Sequence, residues 1–397
     1  MARTRVRTLR SLDEIDPVRW NALSPGNFRL SYDWLAYVEA GPFDAARVFV
    51  VAEEEGAYVG GFATYLIRPE HFQLVNPPLS VLGDGLDPLL WDYYDAAERE
   101  RVAALRAELR ATAAAAYPCA VCVSPFGYRV AIEAPAGRDD VLRALLEAFA
   151  EVAGEWGAGS SAFLFVPDRG YEPLEAALEA DGYRKAAIAA RCGLEIRWDA
   201  FDGYLRFLPS RRRYRVLREL RAFEQSGLTL EVVAGAALDD SLVSRLAYLS
   251  ACTQARYGHE PAVQREEEAL RGLLETLADT SRFFIVRKDG EAVSYTRGYH
   301  WADSYAIGST GQAHDELDPK WYAHFQACYY APIRYAISNR LTTVDFGIGA
   351  YTTKLRRGGE LQPLTGFFHF REAMDQRVLE LIGLIDRAQH RFLASAG

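Results

Sequence analysis

Arg282-Phe283-Phe284-Ile285-Val286 leads through Asp289-Gly290 into Ala292-Val293-Ser294-Tyr295-Thr296-Arg297-Gly298-Tyr299. Two β-branched and aromatic runs around an Asp-Gly pair spell strand, tight turn, strand, because Asp-Gly supplies the positive φ that a short hairpin turn requires. The same figure stands 235 residues earlier (282 − 47), where Arg47-Val48-Phe49-Val50-Val51 passes an acidic turn at Gly56 into Ala57–Tyr65. A helical stretch over 92–116 and an apolar strand over 119–123 follow the first hairpin. A helix over 320–338 and a strand over 342–346 follow the second. One unit of hairpin, helix and further strand occurs twice, so the chain reads as a mixed α/β protein built by duplication.

Between the two copies the pattern gives a helix over 139–154, a strand over 161–166, a helix over 172–180 and a strand over 183–197. It shifts at Trp198, which places the domain boundary there: residues 1–198 and 199–397. The second half adds helices over 211–226, 239–256 and 264–277, a strand over 228–233 and a closing helix over 372–394. No low-complexity linker separates the halves, so two α/β domains packed around a shared cleft are expected.

Of the 397 residues half are hydrophobic, and the net charge is −9. An acidic chain is no coat for DNA. Five scattered cysteines fit a reducing compartment rather than a disulfide scaffold, and Cys119-x-x-Cys122 lies in an apolar strand where buried thiols act as small hydrophobes. The seven histidines show no metal-ligand spacing, so no metal is expected. Neither a signal-like apolar region nor an 18-residue uncharged apolar window appears, which predicts no membrane span and a cytoplasmic protein.

Two basic clusters interrupt this acidic background. Ser210–Glu224 carries Arg211, Arg212, Arg213, Arg215, Arg218 and Arg221, with Val216, Leu217, Leu220 and Phe223 as an inward stripe at helical spacing. Crowded guanidinium groups repel unless an anion is near, and Arg grips phosphate bidentately. The competing reading is a solvated face paired with Glu219 and Glu224. The second cluster follows the strand at 342–346: Gly347-Ile348-Gly349-Ala350-Tyr351-Thr352-Thr353-Lys354-Leu355-Arg356-Arg357. Glycines admit turns closed to other residues, and three cations follow within four positions.

In their order, these segments resemble the Fem-type aminoacyltransferases and the related BioF2-like (CelD-like) acetyltransferases of the GNAT superfamily. The resemblance rests on Phe207–Arg215 running into Leu217–Leu220, on Ile333–Ala336, on Val344–Gly349 and on Lys354–Gly358. Ser31-Tyr32-Asp33-Trp34-Leu35 is similar to the group's first-domain helix. It implies tandem GNAT-like domains with the chemistry in the second, and transfer of an acyl group from aminoacyl-tRNA or acyl-CoA to an amine. It assigns Lys354 to charge stabilisation at the reacting ester, and Arg211, Arg212, Arg215, Arg218, Arg356 and Arg357 to donor phosphates. Tyr351, Gly347, Gly349, Tyr257 and His259 are candidate loop and acceptor contacts.

Aminolysis needs an unprotonated amine, a held carbonyl and a stabilised oxyanion. Asp84, Asp87 and His300 are candidates to take the amine proton, with His314 behind them. The Arg-x-x-Gly-x-Gly turn for CoA pyrophosphate is missing. That favours aminoacyl-tRNA as transient co-substrate, with no tightly bound cofactor and with a peptidoglycan precursor or a small natural product as the amine. The alternatives are an acyl-CoA N-acyltransferase and a non-catalytic module that binds an anionic ligand.

Overall fold

The computed structural model describes residues 4–41, 43–258, 260–371 and 374–396. Thirteen strands occur among them: β1 (Arg5–Leu9), β2 (Arg47–Glu54), β3 (Ala57–Ile67), β4 (Cys119–Cys122), β5 (Ile132–Glu133), β6 (Ser160–Pro167), β7 (Arg184–Glu195), β8 (Thr229–Ala234), β9 (Ser281–Lys288), β10 (Glu291–Trp301), β11 (Ser304–Gln312), β12 (Thr343–Asp345) and β13 (Glu360–Phe370). The chain is mixed α/β and divides into two compact units, one of residues 1–35, 43–190 and 362–397, the other of residues 36–42 and 191–361.

In the first unit β1, β2, β3 and β4 pair antiparallel in series, β4 pairs parallel with β6, and β6 pairs antiparallel with β13. The helix Asp139–Glu155 buries Val141, Leu142, Leu145, Leu146, Phe149 and Val152, one face at the 3.6-residue period, against β2 and β3. The helix Gln376–Ala396 buries Val378, Leu381, Ile382, Leu384 and Ile385 and packs on the helix Ala96–Glu108. Arg101 grips Glu380 through Nε at 2.7 Å and Nη2 at 2.6 Å. Glu98 receives Arg391 and Arg387, and the Arg391 hydrogen bond does most to hold its carboxyl down at about 2.

The second unit repeats the series. Strands β8, β9, β10 and β11 pair antiparallel, β11 pairs parallel with β12, and β12 pairs antiparallel with the end of β7. Side chains alternate across β9: Phe284 and Val286 enter one apolar cluster, Phe283 and Ile285 the other. Both faces of this sheet are therefore covered.

The division expected at residue 198 differs from this arrangement. The strand that closes each series comes from the other half of the chain: β13 closes the first and β7 the second. Residues 362–397 accordingly belong with the first unit, and the second begins within β7 at residue 191. Four strands, β1, β5, β11 and β13, went unforeseen in the sequence. The helix expected over 320–338 contains a wide turn at Gln326–Tyr330, just ahead of Pro332, which has no N–H to give a regular ladder. Among the described residues no helix is long and apolar enough to cross a membrane.

Truncation after Leu361 should unfold the first unit. It removes β13 and five buried aliphatic side chains, each worth about 1.5–3 kcal/mol, against a typical domain stability of about 5–15 kcal/mol. Limited proteolysis should then cut throughout residues 43–190. A truncated chain with full-length protection there would show that the C-terminal segment is not part of this core.

Candidate active site

The loop after β12 is held in a shape few sequences accept. Gly347 (φ 72°), Gly349 (φ 71°) and Ala350 (φ 46°) are all left-handed. A Cβ at either glycine would meet open space, so the dihedral and not crowding calls for glycine there. The Asp345 carboxylate accepts from the Gly347 amide at 2.8 Å and pairs with Arg191 at 3.1 Å. Lys354 is buried beneath the loop, and its Nζ donates to the carbonyls of Gly347 at 3.0 Å and Ile348 at 2.7 Å. Burial pushes its pKa down, opposed by Cys192, Cys328 and Asp345. One of its three donors is left over from the loop bonds. Tyr351 is buried in the following short helix.

Arg357 is also inside, with its Nη2 2.8 Å from Glu219 and both side chains only 4% exposed. Tyr330 donates to the same carboxylate. The guanidinium lies over Phe325 at 3.9 Å and Tyr329 at 4.7 Å, and its Nη1 donates to the Thr353 carbonyl at 2.9 Å. Tyr204 donates to the Arg357 carbonyl at 3.1 Å. The protein encloses this guanidinium, so the donor-phosphate role expected of it is corrected: a side chain buried to this extent cannot reach a phosphate.

The arginine helix, Ser210–Glu224, packs over this pair and sorts its cations by face. Val216, Glu219 and Leu220 point inward. Arg212 donates at 2.9 Å to the Leu355 carbonyl at the end of a short helix, an acceptor that also receives the Gly358 amide at 3.1 Å. Arg211, Tyr214, Arg218 and Arg221 recur every three or four residues and are exposed, Tyr214 at 70%. Arg218 reaches the Tyr322 hydroxyl at 3.4 Å. Arg211, Arg215, Arg218 and Arg221 have no carboxylate partner among the described residues, and neither has the exposed Arg356.

The ladder between β11 and β12 stops at Ala306–Asp345, while β11 runs on to Gln312. Beside its unpaired end lies a cavity of about 340 Å³ lined by Thr310, Gln312, His314, Tyr322, His324 and Phe325, with Tyr257 and Arg256 also on the wall. Burial, with help from Arg357, lowers the His324 pKa to about 4. The cavity therefore opens on neutral imidazole.

The remaining sequence candidates lie elsewhere. His300 sits at the far end of β10, its Nδ1 2.7 Å from the Tyr335 hydroxyl, and burial lowers its pKa. Six strand positions separate it from Ser294, the partner of Gln312, which at about 3.4 Å each is roughly 20 Å from the cavity end of the hairpin. Asp84 is exposed on a turn of the first unit. The Asp87 side chain and the whole of His259 lie outside the described residues. Sequence reasoning missed Glu219, Tyr330 and His324 as parts of this region. Glu219 alone carried a signal, a carboxylate on the apolar stripe between Val216 and Leu220.

Residues 105–384 match the FemAB-like family of peptidoglycan biosynthesis/recognition. Among solved structures, the crystal structure of FemX has a TM-score of 0.61 at 13% identity, over 96% of this chain and 100% of that one. A tandem GNAT protein from the clavulanic acid biosynthesis pathway has a TM-score of 0.51 at 13% identity, over 94% and 100%. A conserved protein of Bacteroides thetaiotaomicron has a TM-score of 0.51 at 11% identity, over 93% and 99%. At such identities the likeness is one of fold, here the tandem GNAT fold. No curated protein matches the chain in sequence.

Glu219→Gln leaves Arg357 buried without a counter-charge and should lower stability by about 3–5 kcal/mol. Arg211→Gln, at the surface, should stay within about 0.5 kcal/mol. Urea unfolding of the two variants checks both. Equal midpoints would remove the buried pair from its structural role.

Proposed function

Since the chain belongs to the FemAB-like family, we propose that it is an aminoacyltransferase that moves an amino acid from aminoacyl-tRNA to an amine of a peptidoglycan precursor or similar small molecule. The observation that carries this reading is the exposed face of the arginine helix. Arg211, Arg218 and Arg221 flank an exposed Tyr214 with no carboxylate partner among the described residues. Such a face suits a phosphodiester backbone: guanidinium groups neutralise phosphates, and an exposed ring offers a stacking surface. Inorganic phosphate or a short anion would need one such arginine, not a row.

The connection from β11 to the helix beginning at Ala323 also bears on the donor. Residues 313–322 contain no glycine, and Asp318 places a carboxylate among them. A pyrophosphate held by closely approaching backbone amides calls for glycine and dislikes a carboxylate. The segment therefore suits an aminoacyl ester better than CoA.

In the reaction the amine nitrogen attacks the ester carbonyl carbon. The carbon–nitrogen bond forms, the bond to the ribose oxygen breaks, and the proton lost by the amine leaves with the ribose hydroxyl. Lys354 has one N–H free of the loop carbonyls, and its role here is to donate to the oxygen that becomes negative. Arg212 and Arg357 act one step back, holding the loop that carries Lys354. Substrates of this kind place the reaction in the cytoplasm.

Labelled amino acid should pass from charged tRNA to an amine acceptor, with ribonuclease abolishing transfer. The triple variant Arg211→Glu, Arg218→Glu, Arg221→Glu should weaken tRNA binding, and the slope of log affinity against log salt should fall by about two to three. Release of free thiol from acetyl-CoA with no transfer from charged tRNA would replace this reading with an acyl-CoA transferase. No consumption of either donor would leave a binding module.

A further inference from the structure

The first unit has a cavity of its own, between the helix Asp139–Glu155, the helix Glu172–Ala180 and one face of β6 and β13. Its volume is about 360 Å³, inside the range of about 300–1,000 Å³ usual for small-molecule pockets. Leu146, Phe149, Phe163 and Leu178 make an apolar floor, with the Phe149 and Phe163 ring centroids 4.6 Å apart. Ala150, Ala153 and Ala158 stand on the wall where larger side chains would fill the space.

Hydrogen-bond donors gather on the sheet side. His369 stands opposite Ser161 in the β6–β13 register, and Arg371 follows two residues later on the same face. The Ser161 and Tyr183 hydroxyls lie 2.7 Å apart. One donates to the other, and the acceptor's own proton remains to be given. Burial pushes the Tyr183 pKa up, so the phenol keeps its proton. Its ring centroid is 5.4 Å from that of His369. Among the described residues neither ring nitrogen of His369 has a hydrogen-bond partner, and neither is a buried orphan, so the ring opens on the cavity. Burial first, then Arg371, lower the His369 pKa, and the neutral ring offers one N–H. Arg371 is exposed and has no carboxylate partner among the described residues. The wall carries two carboxylates. Both Asp181 oxygens are taken by Arg143 Nη1 at 2.9 Å. Glu147 is exposed on its helix, about 12 Å before the end at Glu155 at 1.5 Å per residue, whereas the Arg371 amide is tied to the Gly159 carbonyl beyond that end.

We propose that this cavity binds a small carboxylic acid with an apolar body, its carboxylate held by Arg371, His369 and the Ser161–Tyr183 hydroxyl pair and its chain laid on the phenylalanine floor. One free guanidinium with neutral donors around it matches one negative charge, and Arg grips a carboxylate bidentately. A phosphate dianion would bring a second charge with no further cation to meet it. A neutral amide or alcohol would leave Arg371 without a counter-charge. The site lies wholly within the first unit and does not depend on the donor chemistry assigned to the second.

The test uses the full chain and three probes that share an eight-carbon chain: octanoate, octanamide and octylammonium. Calorimetry at neutral pH should show wild type binding octanoate about tenfold tighter than octanamide, the margin of a charged over a neutral hydrogen bond, and octylammonium weakest of the three. This comparison needs no variant. Arg371→Gln should bring octanoate down to the level of octanamide. Ala150→Trp, on the exposed side of its helix, should block the mouth and weaken octanoate and octanamide alike by about tenfold or more, with the urea midpoint unchanged. The His369 ring-proton resonances, identified by their absence in His369→Gln, should move when octanoate is added to wild type. Octanamide or octylammonium binding as tightly as octanoate, octanoate affinity unchanged in Arg371→Gln or in Ala150→Trp, octanoate bound with the His369 resonances unmoved, or no binding of octanoate would each overturn the proposal.

Discussion

The buried pair between Arg357 and Glu219 is the constraint on which the second unit's basic region depends. It joins two segments 138 residues apart, the arginine helix and the end of the Lys354 loop. Taking two charges out of water is costly, and a buried pair returns little net stability against an apolar replacement. What it does give is a single geometry. Tyr330 completes the carboxylate, Phe325 and Tyr329 cover the guanidinium, and Tyr204 ties down the Arg357 carbonyl. Lys354 then has one position available, beneath the loop whose carbonyls it holds.

The same residue type thus does opposite things within one short region. Arg212 and Arg357 are structural: one closes a helix end, the other fills a buried socket. Arg211, Arg218 and Arg221 are left to solvent. The helical period decides which is which, because Glu219 follows Val216 by three residues and shares its face, while Arg211 and Arg218 lie more than a third of a turn from Val216. A count of arginines cannot separate the two groups. Their position relative to the one inward acid can.

Much of the architecture was legible in the sequence because it rests on local chemistry. The two hairpins announce themselves by β-branched runs around Asp-Gly or an acidic glycine turn, and both form as read. The helix over 139–154 and the strand over 161–166 follow from clean periodicity. Strands β11 and β13 were hidden for physical reasons. β11 contains Gly308 and Gly311, weak strand formers; a Cβ at Gly311 would lie 2.4 Å from Tyr295 and 2.6 Å from the Ser250 amide, so close packing of a helix decides the residue. β13 contains Pro363 and Gly366, which a local reading counts as breakers. At the site, the loop glycines and Lys354 were visible as a motif. Glu219, Tyr330 and His324 were not, because their meaning comes from partners far away in the chain.

The repeated series of pairings bears on how one chain came to carry the Lys354 loop in one copy only. Both units run four antiparallel strands into a parallel fifth and an antiparallel sixth. After the parallel strand of the second copy comes the left-handed loop with Lys354. After that of the first comes Asp168-Arg169-Gly170, then the helix Glu172–Ala180, with acidic Glu172 and Glu175 in its first turn and no lysine. The segment is thus acidic in the first copy where the loop with Lys354, Arg356 and Arg357 is basic in the second. Because each series is closed by a strand from the other half, neither half completes its own sheet by itself. The first half is therefore still required, since it contributes β7, the strand against which β12 and the Lys354 loop are set.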